Sequence, residues 1–190
     1  MKRTVIVLAA SVALLAAAAP AMAAKDYNFK ILAAASYVTP LSDTQDAGDT
    51  IEAASAVGWE IGAEWRLSGL LGFELDYLDV QHDVDANGET VAEIGVNPIN
   101  LSANFHLIQG KTIDFWVGPT AAFVSFDIDE VDNVDDEATF GAVAGLDIGL
   151  GEKFAIVGGL RYLALDVTPE DTDGISVDPL FARLGVAFRF

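Results

Sequence analysis

Cysteine is absent from this chain of 190 residues, which excludes disulfides, thiolate chemistry and a lipid-modified N-terminal cysteine. Cationic side chains are scarce, with 10 Lys and Arg against 29 Asp and Glu and a net charge of −19. That sign disfavours nucleic-acid backbones, so no nucleic-acid partner is expected. Histidine occurs twice, at His82 and His106. Beyond the N-terminus, no apolar run approaches the ~20 residues that a spanning helix needs.

The N-terminus itself carries a targeting pattern. Lys2 and Arg3 are a basic start, Thr4 to Ala19 are apolar, and Ala21-Met22-Ala23 forms an A-x-A cleavage site. Residues 1–23 therefore predict a secretory signal peptide, leaving 24–190 as one domain. The apolar run ends at Pro20, too short for an anchor helix. Loss of Lys2 and Arg3 takes the net charge from −19 to −21. An exported chain that is 52% hydrophobic and lacks a spanning helix points to a barrel.

Eight segments alternate between apolar and polar residues, near 28–38, 56–67, 70–82, 94–107, 112–126, 138–150, 154–165 and 180–190. The connections run long, short, long, short, long, short, long, the pattern of an up-and-down barrel with long outer loops and short inner turns. In the second segment Val57, Trp59, Ile61, Ala63, Trp65 and Leu67 share one face, and Gly58, Glu60, Gly62, Glu64 and Arg66 share the other. Alternation alone allows a soluble barrel with an apolar interior or a transmembrane barrel with an apolar exterior.

Aromatic placement separates the two. Phe29, Trp65, Phe73, Phe105, Phe115, Phe154, Phe188 and Phe190 fall near the short turns, and Tyr37, Trp59, Tyr77, Phe123, Phe140 and Tyr162 fall toward the long loops. Two aromatic belts around an aliphatic band are the mark of a membrane wall. The expected fold is an all-β, eight-stranded antiparallel up-and-down transmembrane β-barrel, monomeric and surrounded by outer-membrane lipid and lipopolysaccharide.

The opposite face then points into the lumen. Toward the short turns it supplies Lys30, Glu64, Arg66, Glu74, Asp76, Asn104, His106, Asp114, Asp147, Arg183 and Arg189, with Trp116 among them. Eight strands leave an interior only wide enough for side chains. Opposite charges confined there should pair, so these residues predict a charged plug. Toward the long loops the inward positions are apolar: Val38, Leu78, Val80, Ile94, Val96, Pro98, Val124, Phe126, Val143, Leu163, Leu165 and Phe181. They can be a dry core beneath the loops, or a pocket for a small hydrophobic molecule.

These segments resemble the OmpW-like family of eight-stranded outer-membrane proteins across nearly all of the mature chain. The likeness is carried by NPINLSANFHL, FWVGPTAAFVSF, FAIVGGLRYLALDV and above all the closing VDPLFARLGVAFRF. The resemblance implies a barrel of the Gram-negative outer membrane, reached through the periplasm, that passes small hydrophobic compounds through an apolar lumen. It also implies that Phe188 and Phe190 form the signal read by the barrel-assembly machinery. Two features depart from the family pattern. Pro119 lies within a spanning strand, where a bulge is expected. The third long loop is unusually acidic.

Catalytic patterns are weak, and neither an enzyme nor a cofactor is expected. Ser102 and His106 share a face but stand ~13 Å apart along one strand, too far for a nucleophile and its base. Asp127 to Glu137 holds seven acids that could meet calcium. It lacks the central glycine of a calcium loop, so no metal site is assigned. The expected function is binding or passive passage of small hydrophobic molecules. The alternative is a non-conducting structural or surface-interaction barrel.

Overall fold

A computed structural model describes residues 27–39, 41, 44–46, 49–86, 89–128, 136–167, 175–176 and 178–190. The expected signal peptide at 1–23 and most of the acidic stretch lie outside these residues. In chain order the strands are β1 Phe29–Thr39, β2 Thr44–Asp46, β3 Asp49–Ala53, β4 Ala56–Arg66, β5 Leu71–Ala86, β6 Glu89–Gln109, β7 Ile113–Ile128, β8 Glu137–Gly149, β9 Phe154–Ala164, β10 Asp166–Val167, β11 Ile175–Ser176 and β12 Leu180–Arg189.

Eight of them form the wall. Each of β1, β4, β5, β6, β7, β8, β9 and β12 pairs antiparallel with the next. The last, β12, returns to β1, with Lys30 opposite Arg189 and Val38 opposite Phe181. Backbone bonds exchanged between Phe29 and Phe190, 2.9 Å in each direction, seal the seam at the chain's end. The barrel is therefore closed and leaves no wall strand with a free edge.

Burial alternates as period two demands. Along β1, Lys30, Leu32, Ser36 and Val38 are buried while Phe29, Ile31 and Tyr37 are exposed. Apolar side chains dominate the outside: Ile61, Leu75, Leu101, Leu160 and Leu184 are each more than half exposed. Such a surface is unstable in water and natural in lipid. Aromatic contacts sit at both ends of this band. Phe29 stacks on Phe190 and Phe154 meets Phe188 edge-on near the short turns, while Trp59 leans on Tyr77 nearer the long loops.

Three details depart from the sequence reading. The polar stretch after β1 contains the hairpin β2–β3, and β3 pairs with the upper part of β5. The second long connection is almost entirely strand, because β5 and β6 continue to Ala86 and from Glu89. No bulge occurs at Pro119, where the register runs unchanged from Ser102 opposite Thr120 to Phe105 opposite Val117. The ladder simply loses its pairs there, since proline has no N–H to give. Pro98 does the same on its β5 side, where pairing stops at Tyr77–Ile99 and resumes at Val80–Val96. The register shifts fall instead at Val84/Asp85 and at His106/Ile108.

Candidate functional site: an ion-paired layer beneath an apolar cup

Inward positions on every wall strand bring the charged residues into one connected layer. Lys30 lies 2.6 Å from Glu64 and 3.1 Å from Asp147, and Arg189 reaches the same Asp147 oxygen at 3.1 Å. Arg66 lies 2.7 Å from Asp114. Arg183 bridges Glu60 at 2.6 Å and Glu74 at 2.7 Å, and Arg161 grips both oxygens of Asp76 at 2.9 and 2.5 Å. Ser36 donates to Glu60, and Asn100 to Asp76. All of these groups are buried, so each charge depends on its partners rather than on water.

Aromatic rings complete the layer. Lys30 and Arg183 lie over the indole of Trp116, 5.5 and 5.2 Å from the ring centre. Trp116 is fully buried and Gly145 faces it; a Cβ on Gly145 would stand 2.1 Å from a carbon of the indole. At the short-turn end, Tyr27 lies against both Arg66 and Arg189, each 4.9 Å from its ring. Burial pushes its phenol above the ordinary tyrosine range. Tyr27 thus closes the floor of the lumen just ahead of β1.

His106 sits inside this network. Its Nδ1 is 2.7 Å from Asp114 and its Nε2 is 2.7 Å from Glu64. Ser102 meanwhile donates to Thr120 at 2.9 Å, so the serine and the histidine engage different partners. The other histidine, His82, lies nearer the long loops with Nδ1 2.8 Å from the Ala54 carbonyl. Glu60, Glu74 and Asp76 bring carboxylate oxygens within 4.8 Å of one another, a spacing that could suit a metal. Arg161 and Arg183 already occupy that triad.

The other half of the lumen is apolar. Val38, Leu78, Val80, Ala122, Val124, Leu163, Leu165 and Phe181 form one buried cluster, with Ala56, Val96 and Phe126 packed against it. Where this cup meets the charged layer lies a cavity of about 10 Å³ bordered by Glu60, Val143, Arg161, Phe181 and Arg183. Outside the wall, a groove of about 770 Å³ runs past Val117, Pro119, Gly141, Ala142, Leu160 and Tyr162.

Two halves of opposite chemistry inside a closed, lipid-facing barrel narrow the relatives. Residues 9–190 match the family model of the outer membrane protein beta-barrel domain. The chain belongs to that family. It is accordingly an outer-membrane barrel, and solved structures share the fold. The outer membrane protein OprG from Pseudomonas aeruginosa superposes with a TM-score of 0.73 at 18% identity, over 87% of this chain and 97% of that one. Neisserial surface protein A gives 0.61 at 15% identity, over 85% and 97%. The outer membrane protein AlkL, solved in lipid bilayers, gives 0.57 at 19% identity, over 90% and 95%. No curated protein matches the sequence.

Within this outer-membrane family member, several lumen residues went unassigned from sequence. Glu60 and Arg161 belong to the charged layer, and Tyr27 forms its floor. Glu60 shares the polar face of its segment, and Arg161 has the same parity as Leu163, but parity carries no height. Arg161 sits two residues from Leu163 of the cup, and its partner Asp76 is 85 positions away in the chain.

Proposed function

We propose that the chain is an OmpW-like member of the family, exported through the periplasm after loss of residues 1–23, and that it takes up small apolar molecules from the outer side. The observation that carries this reading is the apolar cup. Eight buried hydrophobic side chains fill the loop-side half of the lumen, where a water-filled channel would be polar. Leu78, Val80, Val96, Val124, Phe126, Leu163, Leu165 and Phe181 are the residues assigned to ligand contact.

The charged layer, with Lys30, Glu64, Arg66, Glu74, Asp76, Asp147, Arg183 and Arg189, is the plug in this reading. An apolar solute has no favourable path through it along the axis. The wall offers another way out. Ala103 and Asn104 are unpaired with Gly118 and Pro119, and the outer groove at Pro119 shares Val143, Leu160 and Arg161 with the internal cavity. Release is therefore sideways into the bilayer. The test is uptake of a small apolar dye or hydrocarbon by proteoliposomes, alongside single-channel recording. Accelerated uptake without ion conductance supports the reading; uptake equal to that of empty liposomes ends it.

Full coverage of Leu78, Val124 and Leu163 favours a second reading, a non-conducting structural or surface-interaction barrel. That reading expects no uptake. In both readings the partners are outer-membrane lipid and lipopolysaccharide, the barrel is a monomer, and the assembly machinery reads Phe188 and Phe190.

A further inference from the structure

The small cavity between the cup and the charged layer has two unlike sides. Phe181 and Val143 make one side apolar, and Glu60, Arg161 and Arg183 make the other charged. Its volume, about 10 Å³, suits roughly one oxygen-sized group.

The donors facing this region are not all used. The terminal nitrogens of Arg161 are held by Asp76, and those of Arg183 by Glu60 and Glu74. The Nε–H of each arginine is buried and has no hydrogen-bond partner. Buried donors are nearly always matched, so two on arginines that line one cavity call for an acceptor. Gly159, which also lines the cavity, keeps the approach open. A Cβ there would stand 2.9 Å from Arg183 Nε.

Charge decides what kind of acceptor fits. Locally three carboxylates, Glu60, Glu74 and Asp76, share two guanidiniums. Among the described buried residues of the whole layer, six carboxylates (those three with Glu64, Asp114 and Asp147) face five Lys and Arg side chains and His106, which lies between Glu64 and Asp114 and away from this cavity. An added anion would meet a surplus of its own sign in a poorly screened interior. A bare hydrocarbon would leave both donors unmatched. A neutral oxygen satisfies them without adding charge.

We infer that the cup selects small apolar molecules that carry one neutral oxygen acceptor, such as a ketone, with the chain lying among Phe181, Leu163 and Val124 and the oxygen on the Nε–H groups of Arg161 and Arg183. This rests on the reading of the cup as a binding site and adds to it a substrate class.

The test uses the full mature protein in lipid nanodiscs and three eight-carbon probes: octane, 2-octanone and octanoate. The readouts are affinity corrected for bilayer partition and the ¹H–¹⁵Nε signals of Arg161 and Arg183. The ketone should bind about tenfold tighter than octane, the effect of one added hydrogen bond, and should shift both Nε signals. Octanoate should bind more weakly than the ketone. Gly159→Ala, which crowds Arg183 Nε, should abolish the preference for the ketone. Should that variant fail to fold, the probe series on the natural protein still decides. Equal affinity for octane and ketone, preference for octanoate, or unmoved Nε signals overturns the selectivity while leaving apolar uptake standing. Absence of binding and uptake for all three probes brings down the uptake reading together with this one.

Discussion

Trp116 on β7 occupies the room left by Gly145 on β8, directly opposite it in the register. The indole holds its place between strands only because its neighbour has no side chain, and Lys30 and Arg183 lie over it. Gly145→Ala should therefore push the ring out of position and loosen the charged layer. The expected destabilisation is about 1–3 kcal/mol, the usual result of overpacking a filled interior. Unfolding in urea from lipid vesicles measures it, and the Trp116 emission should shift in a background where Trp59 and Trp65 are Phe. An unchanged spectrum and midpoint would show that the wall yields instead.

Asp147 serves two cations at once, Lys30 and Arg189, each at 3.1 Å. Asp147→Asn keeps the shape and removes the charge. Both cations would then be left buried with a weakened partner, and breaking such a pair costs about 3–5 kcal/mol. The variant should unfold at markedly lower urea. The double change Asp147→Asn with Arg189→Met should recover part of the loss, because it deletes the cation that pairs with Asp147, whereas Lys30 keeps Glu64 at 2.6 Å. Failure of that recovery would mean that the two side chains act independently.

Much of this layer could be read from the chain, and the parts that could not share a physical cause. Inward and outward faces follow from period two, so Leu78, Glu74 and Arg183 are assigned by counting alone. Height in the barrel depends on stagger between strands, which no single strand carries. Arg161 and Leu163 are both inward and two residues apart, yet one pairs with Asp76 and the other joins the cup. Tyr27 precedes the first strand and belongs to no alternation, so only the folded chain shows it against Arg66 and Arg189. The hairpin β2–β3 arises in a polar segment and pairs with the protruding end of β5, and no apolar face announces it.

At the seam, Phe190 contributes through two separable parts. Its backbone exchanges hydrogen bonds with Phe29, and its ring stacks on Phe29 at 5.9 Å and leans on Phe188 at 5.8 Å. Phe190→Ala keeps the backbone bonds and removes the ring; deleting Phe190 removes both. If the ring is the assembly signal, the alanine variant should already slow insertion severalfold in an assay with the assembly machinery in liposomes. Spontaneous folding into detergent should change little for the alanine variant and should slow for the deletion. Equal behaviour of the two in both assays would assign the ring no role in recognition.

Leu163 has no exposed surface and sits in the apolar cluster, paired across the wall with Gly141. Leu163→Asp places a carboxylate two residues from Arg161, whose terminal nitrogens Asp76 already holds, so the cup becomes hostile to apolar solutes and the charge must draw in water. Uptake of an apolar probe into proteoliposomes should fall to the level of empty vesicles. Migration of unboiled protein on an SDS gel reports whether the barrel still closes. A folded variant with undiminished uptake would separate the cup from transport.

Pro119 interrupts the β6–β7 ladder without shifting its register, beside an outer groove whose lining includes Val143 and Arg161 from the lumen side. Pro119→Ala restores an N–H at a place where the strands are already in register, so one missing bond can form with no rearrangement of the neighbours. The barrel should gain stability by about 1 kcal/mol, the contribution of the one hydrogen bond recovered. Sideways release should suffer for the same reason: the gap that lets an apolar molecule part the strands is closed. Binding of 2-octanone should persist while its delivery into the surrounding bilayer slows. Entry through the loops stays untouched by this change, so slower delivery at constant affinity isolates the wall as the exit. Delivery as fast as in the natural protein would send the solute by another path, and the charged layer with its Tyr27 floor would then have to open.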